Sequence, residues 1–235
     1  MTTVLVLGFL IGMRHALDAD HVAAVASLVV STKSVRSSVW QGAIWGVGHT
    51  LTLFVIGAIV VLSETSVSPT VSGLLEAAVG AMLILLGLDV ARTMVRENIH
   101  FHAHSHNDGV RHVHAHKHDD SSRSHDESHH EHVHTEPFPR RALAVGLMHG
   151  LAGSAALIVL AVDATRPVWE GLAYILLFGL GSILGMAALS VAIAIPMTRS
   201  NRVSKNYHRV AQIAVSAANI AIGGTLIYSA STTVL

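Results

Sequence analysis

Apolar residues come in six long blocks, at about residues 3–30, 38–62, 70–94, 140–162, 168–196 and 207–232. Each is long enough to cross a bilayer core, which needs about 20 residues of helix. Within the blocks the apolar runs are continuous rather than alternating, so they predict helices and exclude porin-type strands. The first block begins at the chain start without a basic leader, and its polar residues argue against a removable signal peptide. The chain thus reads as an all-α membrane protein of six transmembrane helices. Residues 1–94 form a first three-helix unit, 95–139 a histidine-rich loop, and 140–235 a second three-helix unit.

Charge gives the blocks a direction. Only 13% of the 235 residues are charged, and the mean hydropathy is +0.53, against about 25% charged in soluble domains. Lys33, Arg36, Arg96, Arg111, Lys117, Arg123, Arg140, Arg141, Arg199, Arg202 and Lys205 lie in the connections after blocks one, three and five, with Arg92 and Arg209 beside them. The opposite connections hold Arg166 alone. The positive-inside rule then places those three loops in the cytoplasm of a bacterial or archaeal cell, and both termini outside the inner membrane.

The two halves resemble each other faintly. Gly12-Met13-Arg14-His15 lies over Gly146-Leu147-Met148-His149, Gly46-Val47-Gly48 over Gly179-Leu180-Gly181, and Ala78-Val79-Gly80-Ala81 over Ala214-Val215-Ser216-Ala217. The offsets stay near 134, 133 and 136 residues. With three spans per unit the second copy must be inverted, a transporter architecture whose site lies at the midplane.

Chemistry concentrates in the first block, where Arg14-His15-Ala16-Leu17-Asp18-Ala19-Asp20-His21 puts five ionisable residues in apolar surroundings. One charge at mid-bilayer costs about 2.5–3.5 kcal/mol or more, so such a run needs partners and a function. Imidazole and carboxylate together suit nickel, cobalt, zinc or iron. On a straight helix, His15, Asp18 and His21 span an arc of about 120°, while Asp20 points about 140° from His15. Two arrangements follow. In one, Asp18 pairs with Arg14 and Asp20 faces elsewhere. In the other, the helix unwinds and His15, Asp18, Asp20 and His21 converge. His49 in the second block lies at nearly the same depth as His15 and is a further candidate ligand, as is His149, the repeat mate of His15. Asn219 and Ser154 are weaker candidates. Asp89 and Arg92, at i and i+3, read as a structural pair.

The loop at 95–139 holds thirteen of the eighteen histidines, many alternating, as in His100, His102, His104 and His106. That composition binds metal, and the segment is expected to stay disordered until metal arrives. His130-Glu131-His132-Val133-His134 fits a zinc-protease pattern, but the motif needs a stable helix, and a tract this rich in His matches by chance. No nucleophile–base arrangement, cofactor motif or nucleotide-binding loop stands out, so an enzyme or an ATP-driven pump is not expected. The absence of cysteine excludes thiolate ligands.

The run from Arg14 to His21 resembles the signature of the nickel/cobalt transporter (NiCoT) family. That family carries His-x4-Asp-His in a membrane span, matched here by His15, Asp20 and His21. Gly48-His49-Thr50 is similar to the family's Gly-His-Ser segment in the next span. The six-span length and His149-Gly150-Leu151-Ala152-Gly153 look more like the shorter permeases of the urease-accessory UreH type. The resemblance implies Ni2+ or Co2+ as transported substrate, with His15, Asp18, Asp20, His21 and His49 as its determinants. It implies no resident cofactor. Partners are then the metal ion, the bilayer and a cytoplasmic metallochaperone, with no nucleic acid. Three functions compete: secondary uptake, efflux for metal resistance, and a chaperone or sensor acting through the loop. Deleting residues 97–135 separates the last from the others. Metal accumulation in cells carrying the deletion falls without vanishing for a permease, and is abolished for a chaperone or sensor.

Overall fold

The structure is a computed structural model that describes residues 2–30, 32, 34–63, 68–97, 100–105, 111–116, 138–152, 167–200 and 205–234. Seven helices make up nearly all of the described residues. They are α1 (Thr2–His15), α2 (Ala19–Val29), α3 (Val35–Ser63), α4 (Pro69–Glu97), α5 (Arg140–Ala152), α6 (Val168–Ser200) and α7 (Lys205–Val234). Helices α3, α4, α6 and α7 are each long and apolar enough to cross a membrane. Their outer faces carry exposed Leu51, Val55, Ile59, Leu74, Leu85, Leu184 and Ile213. Bare hydrocarbon on that scale is stable only where lipid is the solvent.

The first apolar block departs from the expected single span. It is two helices of 14 and 11 residues, about 21 and 16 Å long. The chain turns out of α1 through Leu17 N–H to Arg14 O (2.8 Å) and Asp18 N–H to His15 O (3.1 Å). Asp18 then takes extended backbone before α2 begins. These short i→i+3 bonds satisfy groups that a broken helix leaves open in the membrane. Of the fourth block, α5 covers residues up to Ala152; the remainder, with Ser154, lies outside the described residues.

In the histidine-rich segment two short strands, β1 (His100–Ser105) and β2 (Arg111–His116), pair antiparallel. Their register sets His100 against His116, His102 against His114 and His104 against His112. The His-x-His alternation has the period of a strand, which is how a segment expected to lack structure supports a hairpin. The protease-like run at 130–134 lies outside the described residues.

Small residues set the helix contacts. Helix α1 packs along α6, α3 along both α5 and α6, and α4 along α7. Gly12 lies directly on the backbone of Phe178 and Gly146 directly on that of Trp45, where a methyl group would strike a carbonyl oxygen. Gly48 faces Leu143 and Leu147 of α5, and Gly181 faces Phe9 and Met13 of α1. On the far pair, Gly87 meets Ser216 and Ile220, and Gly223 meets Gly80 and Ile84. Such backbone approach is the usual basis of helix association in lipid. The core between the helices holds Ala16, Ala24, Val25, Leu28, Trp45, Leu83, Val145 and Met186.

Asp89 does not pair with Arg92 as the local spacing suggested. It binds Arg141 of α5 at 2.6 Å, because α5 approaches α4 at that level. The close approaches predict that Gly12→Ala and Gly146→Ala each destabilise the fold by about 1–3 kcal/mol through overpacking. Gly224, with nothing within 4 Å of its missing Cβ, is the control. Melting of the detergent-solubilised protein should fall for the first two variants and not for Gly224→Ala.

Candidate metal centre

The break between α1 and α2 aims four groups that one straight helix cannot aim together. His15 closes α1, Asp18 caps α2, and Asp20 and His21 lie in the first turn of α2. Acidic residues suit that helix start, where backbone N–H groups are unpaired. One is used locally, the His21 N–H donating to Asp20 Oδ1 at 2.9 Å. The start of α2 is also held from outside: Asn219 of α7 donates through Nδ2 to the Ala23 carbonyl at 3.0 Å.

Two more histidines arrive from neighbouring helices, His49 from mid-α3 and His149 from the last turn of α5. His21, His49 and His149 are essentially inaccessible, at 1%, 0% and 1%. Ring centroids stand 4.2 Å apart for His15 and His21, 5.1 Å for His21 and His49, and 4.3 Å for His21 and His149. Two triads result, His15–His21–His49 and Asp20–His21–His149, each with its ligand atoms within 4.8 Å of one another. They share His21.

Both carboxylates orient imidazoles. Asp18 accepts from His15 Nδ1 at 2.6 Å, not from Arg14. Asp20 uses one oxygen toward His21 Nδ1 at 2.9 Å and the other toward His149 Nε2 at 3.0 Å. A carboxylate on one ring nitrogen fixes the tautomer and leaves the other nitrogen's lone pair for a metal. The nitrogens left over fit that pattern. His15 Nε2, His21 Nε2, both nitrogens of His49 and His149 Nδ1 are buried without a partner among the described residues. Buried polar atoms of this kind are rare in native folds and need an explanation. A set of three imidazoles, or of two with a carboxylate, can hold a borderline divalent ion such as Ni2+, Co2+ or Zn2+, and suits hard Mg2+ or Ca2+ poorly.

Apart from Ser154, which lies outside the described residues, the candidate ligands named in the apolar blocks lie in or beside this cluster. His15, His21, His49, His149 and Asp20 form the triads, while Asp18 stays outside them as the partner of His15, its side chain 56% exposed. Asn219 serves α2 rather than the triads. Trp45 is a component that sequence reasoning passed over. Its ring stacks on His49 at 6.0 Å and stands 5.4 Å from both His21 and His149. The one available signal was its place a helical turn before His49, on the same face.

Comparison with known proteins agrees with this chemistry. The family model NicO, described as "High-affinity nickel-transport protein", matches residues 1–233. The chain belongs to the NicO family of nickel-transport proteins. The NicO chain is also 35% identical over 222 residues to "Urease accessory protein UreH" of Bacillus sp. (strain TB-90), a match that covers 91% of this chain and 86% of that one. No solved structure matches. This NicO protein is accordingly a membrane nickel transporter.

Trp45 makes the centre observable. In a Trp40→Phe, Trp169→Phe background it is the sole tryptophan of the three, and paramagnetic Ni2+ or Co2+ bound beside it should quench its fluorescence, with Mg2+ silent. His21→Ala, which removes the residue common to both triads, should abolish the quench. Titration of the purified protein checks both.

Proposed function

We propose that this NicO protein is a secondary uptake permease that passes Ni2+ or Co2+ one at a time through the His15–Asp20–His21–His49–His149 cluster at the membrane midplane. The observation that carries the reading is the convergence of four histidines from four separate helices, with five of their ring nitrogens buried without a partner among the described residues. His15, His21 and His49 are the three-imidazole position. Asp20, His21 and His149 are the second position, and the shared His21 lets an ion move between them by turning its ring. Asp18 holds His15 in place. Inward movement of a divalent cation is favoured by the membrane potential, about 4.6 kcal/mol for two charges at 100 mV.

The scaffold for this cycle is six spans in two inverted three-helix units, with both termini outside and the basic loops in the cytoplasm. The helix contacts support the repeat. Gly12 against Phe178 corresponds to Gly146 against Trp45, and Gly48 against Leu143 and Leu147 corresponds to Gly181 against Phe9 and Met13. Gly87 against Ser216 and Ile220 corresponds to Gly223 against Gly80 and Ile84. In each case the partner residues are separated by the same 133 to 136 positions that relate the sequence motifs. Contacts that exchange in this way are the mark of a two-fold axis. The histidine-rich segment then acts on the cytoplasmic side as an acceptor or buffer that hands metal to a chaperone.

The test is accumulation of radiolabelled nickel in cells producing the parent or single variants at matched membrane levels. His21→Ala and His49→Ala should lower uptake by well over tenfold, and Asp18→Asn, which loosens the orientation of His15, by about tenfold. Accumulation equal to the parent in His21→Ala would refute the site. Higher accumulation in cells lacking the protein would show that transport runs outward.

A further inference from the structure

Helix α3 carries Gln41, Trp45 and His49 one turn apart on a single face. Gln41 lines a cavity of about 620 Å³ at the end of the molecule where α3 and α5 begin and α4 finishes. Ser27 and Leu28 of α2, Asp89 and Thr93 of α4, and Arg141 of α5 line it as well. His49 belongs to the histidine cluster, and Trp45, wholly buried, lies between the two. Helix α5 repeats the order: Arg141 at the cavity, buried Val145, then His149 in the cluster. Helix α2 does so in reverse, with His21 in the cluster, buried Ala24 and Val25, then Leu28 at the cavity.

Trp45, Val145, Ala24 and Val25 belong to one continuous apolar cluster. On α3 and α5 one helical turn separates the apolar residue from the polar residue on either side, so those polar residues stand about 12 Å apart along the axis with one apolar layer between them. A cation crosses such a layer only when a side chain moves aside, since hydrophobic constrictions close a path by excluding water. Trp45 is the bulky member, and its indole face, already stacked on His49, is one that a cation can pass with attraction rather than repulsion.

The other face of the cluster has a counterpart. Phe178 of α6, offset from Trp45 by the repeat distance, is 1% exposed and stands 5.3 Å from the ring of His15. Its backbone receives Gly12 as that of Trp45 receives Gly146. Beyond it, where Gln41 stands on the Trp45 side, are Tyr174 and Ile175, both buried.

We propose that Trp45 and Phe178 are the paired gates of this transporter. Trp45 closes the path between the histidine cluster and the 620 Å³ cavity, and Phe178 closes the path to the opposite face. The assignment deepens the permease reading above and rests on it. Both rings are buried, and each half of the proposed cycle needs one of them to swing while the other stays.

The chain contains no cysteine, so single cysteines report access without background. Membrane vesicles of both orientations are treated with a membrane-impermeant thiol reagent. From the cavity face, Gln41→Cys should react about tenfold faster than Val145→Cys, which lies within the seal. Adding Trp45→Ala should raise the Val145→Cys rate toward that of Gln41→Cys and leave Ile11→Cys, its counterpart near Phe178, unchanged. Adding Phe178→Ala should speed Ile11→Cys from the opposite face only. Equal rates for Gln41→Cys and Val145→Cys in the otherwise native chain overturn the proposal, as does a Trp45→Ala effect at both faces. If Trp45→Ala does not fold, the Gln41 and Val145 contrast decides alone. The labelling uses no metal, so its outcome is independent of nickel accumulation: the expected labelling in a chain that moves no nickel refutes the permease reading and not the seal.

Discussion

A carboxylate among apolar, membrane-crossing helices needs donors for its oxygens, and Asp20 finds them in two histidines from different parts of the chain. One oxygen faces His21 on its own helix and the other faces His149 on α5. Stripped of either ring, the carboxylate would lose half of that compensation. The pair of bonds therefore fixes how α2 and α5 sit relative to each other. It also explains why the first apolar block cannot be a straight helix. Asp18 has to meet His15 while Asp20 meets His149, and the two aspartates on an unbroken helix point about 160° apart. The three-residue turn at Ala16–Asp18 resolves the conflict, and its exposed backbone groups are absorbed by short bonds to Arg14 and His15.

Convergence of imidazoles also needs the helix axes to be close, and glycine supplies that. Gly146 sits on Trp45 and Gly150 sits on His49 itself, so α5 lies against α3 with nothing larger than hydrogen between the backbones. That is what brings His49 and His149 to a ring separation of 5.9 Å. Gly12 and Gly181 do the same between α1 and α6. These glycine contacts are thus what brings the histidine-bearing helices within reach of one another.

Much of this was legible in the order of residues. The cost of burying Arg14 to His21 singled out a segment that joins the histidine cluster, and depth matching and the faint repeat pointed to His49 and His149, which the fold brings to the same place. What could not be read was which aspartate reaches which histidine, because a turn of three residues reassigns every direction that helical geometry predicts. The partner of Asp89 was missed for a related reason: the neighbour at i+3 was available, but α5 brings Arg141 closer. Trp45 and Phe178 were invisible as special residues, since an aromatic within an apolar span reads as packing until a cavity on one side and histidines on the other give it a place.

The proposed two-fold scaffold carries chemistry that is not two-fold. Ser182 stands where the repeat would put a second His49, and it spends its hydroxyl on the Gly12 carbonyl at 3.1 Å. His49, by contrast, keeps both ring nitrogens unpartnered. His149 has no neighbouring carboxylate of its own in α5 and borrows Asp20. On that proposal, symmetric helices supply two equivalent ways to rock, one opening at Trp45 and one at Phe178. Asymmetric ligands do the opposite work on the ion. Three imidazoles on one side and two with a carboxylate on the other are different donor sets, so on the proposed reading the two positions are not equivalent for a borderline cation. A scaffold symmetric in its packing and asymmetric in its donors suits a carrier of a bare divalent cation whose sequence carries no Gly-x4-Gly-Lys-Ser/Thr loop.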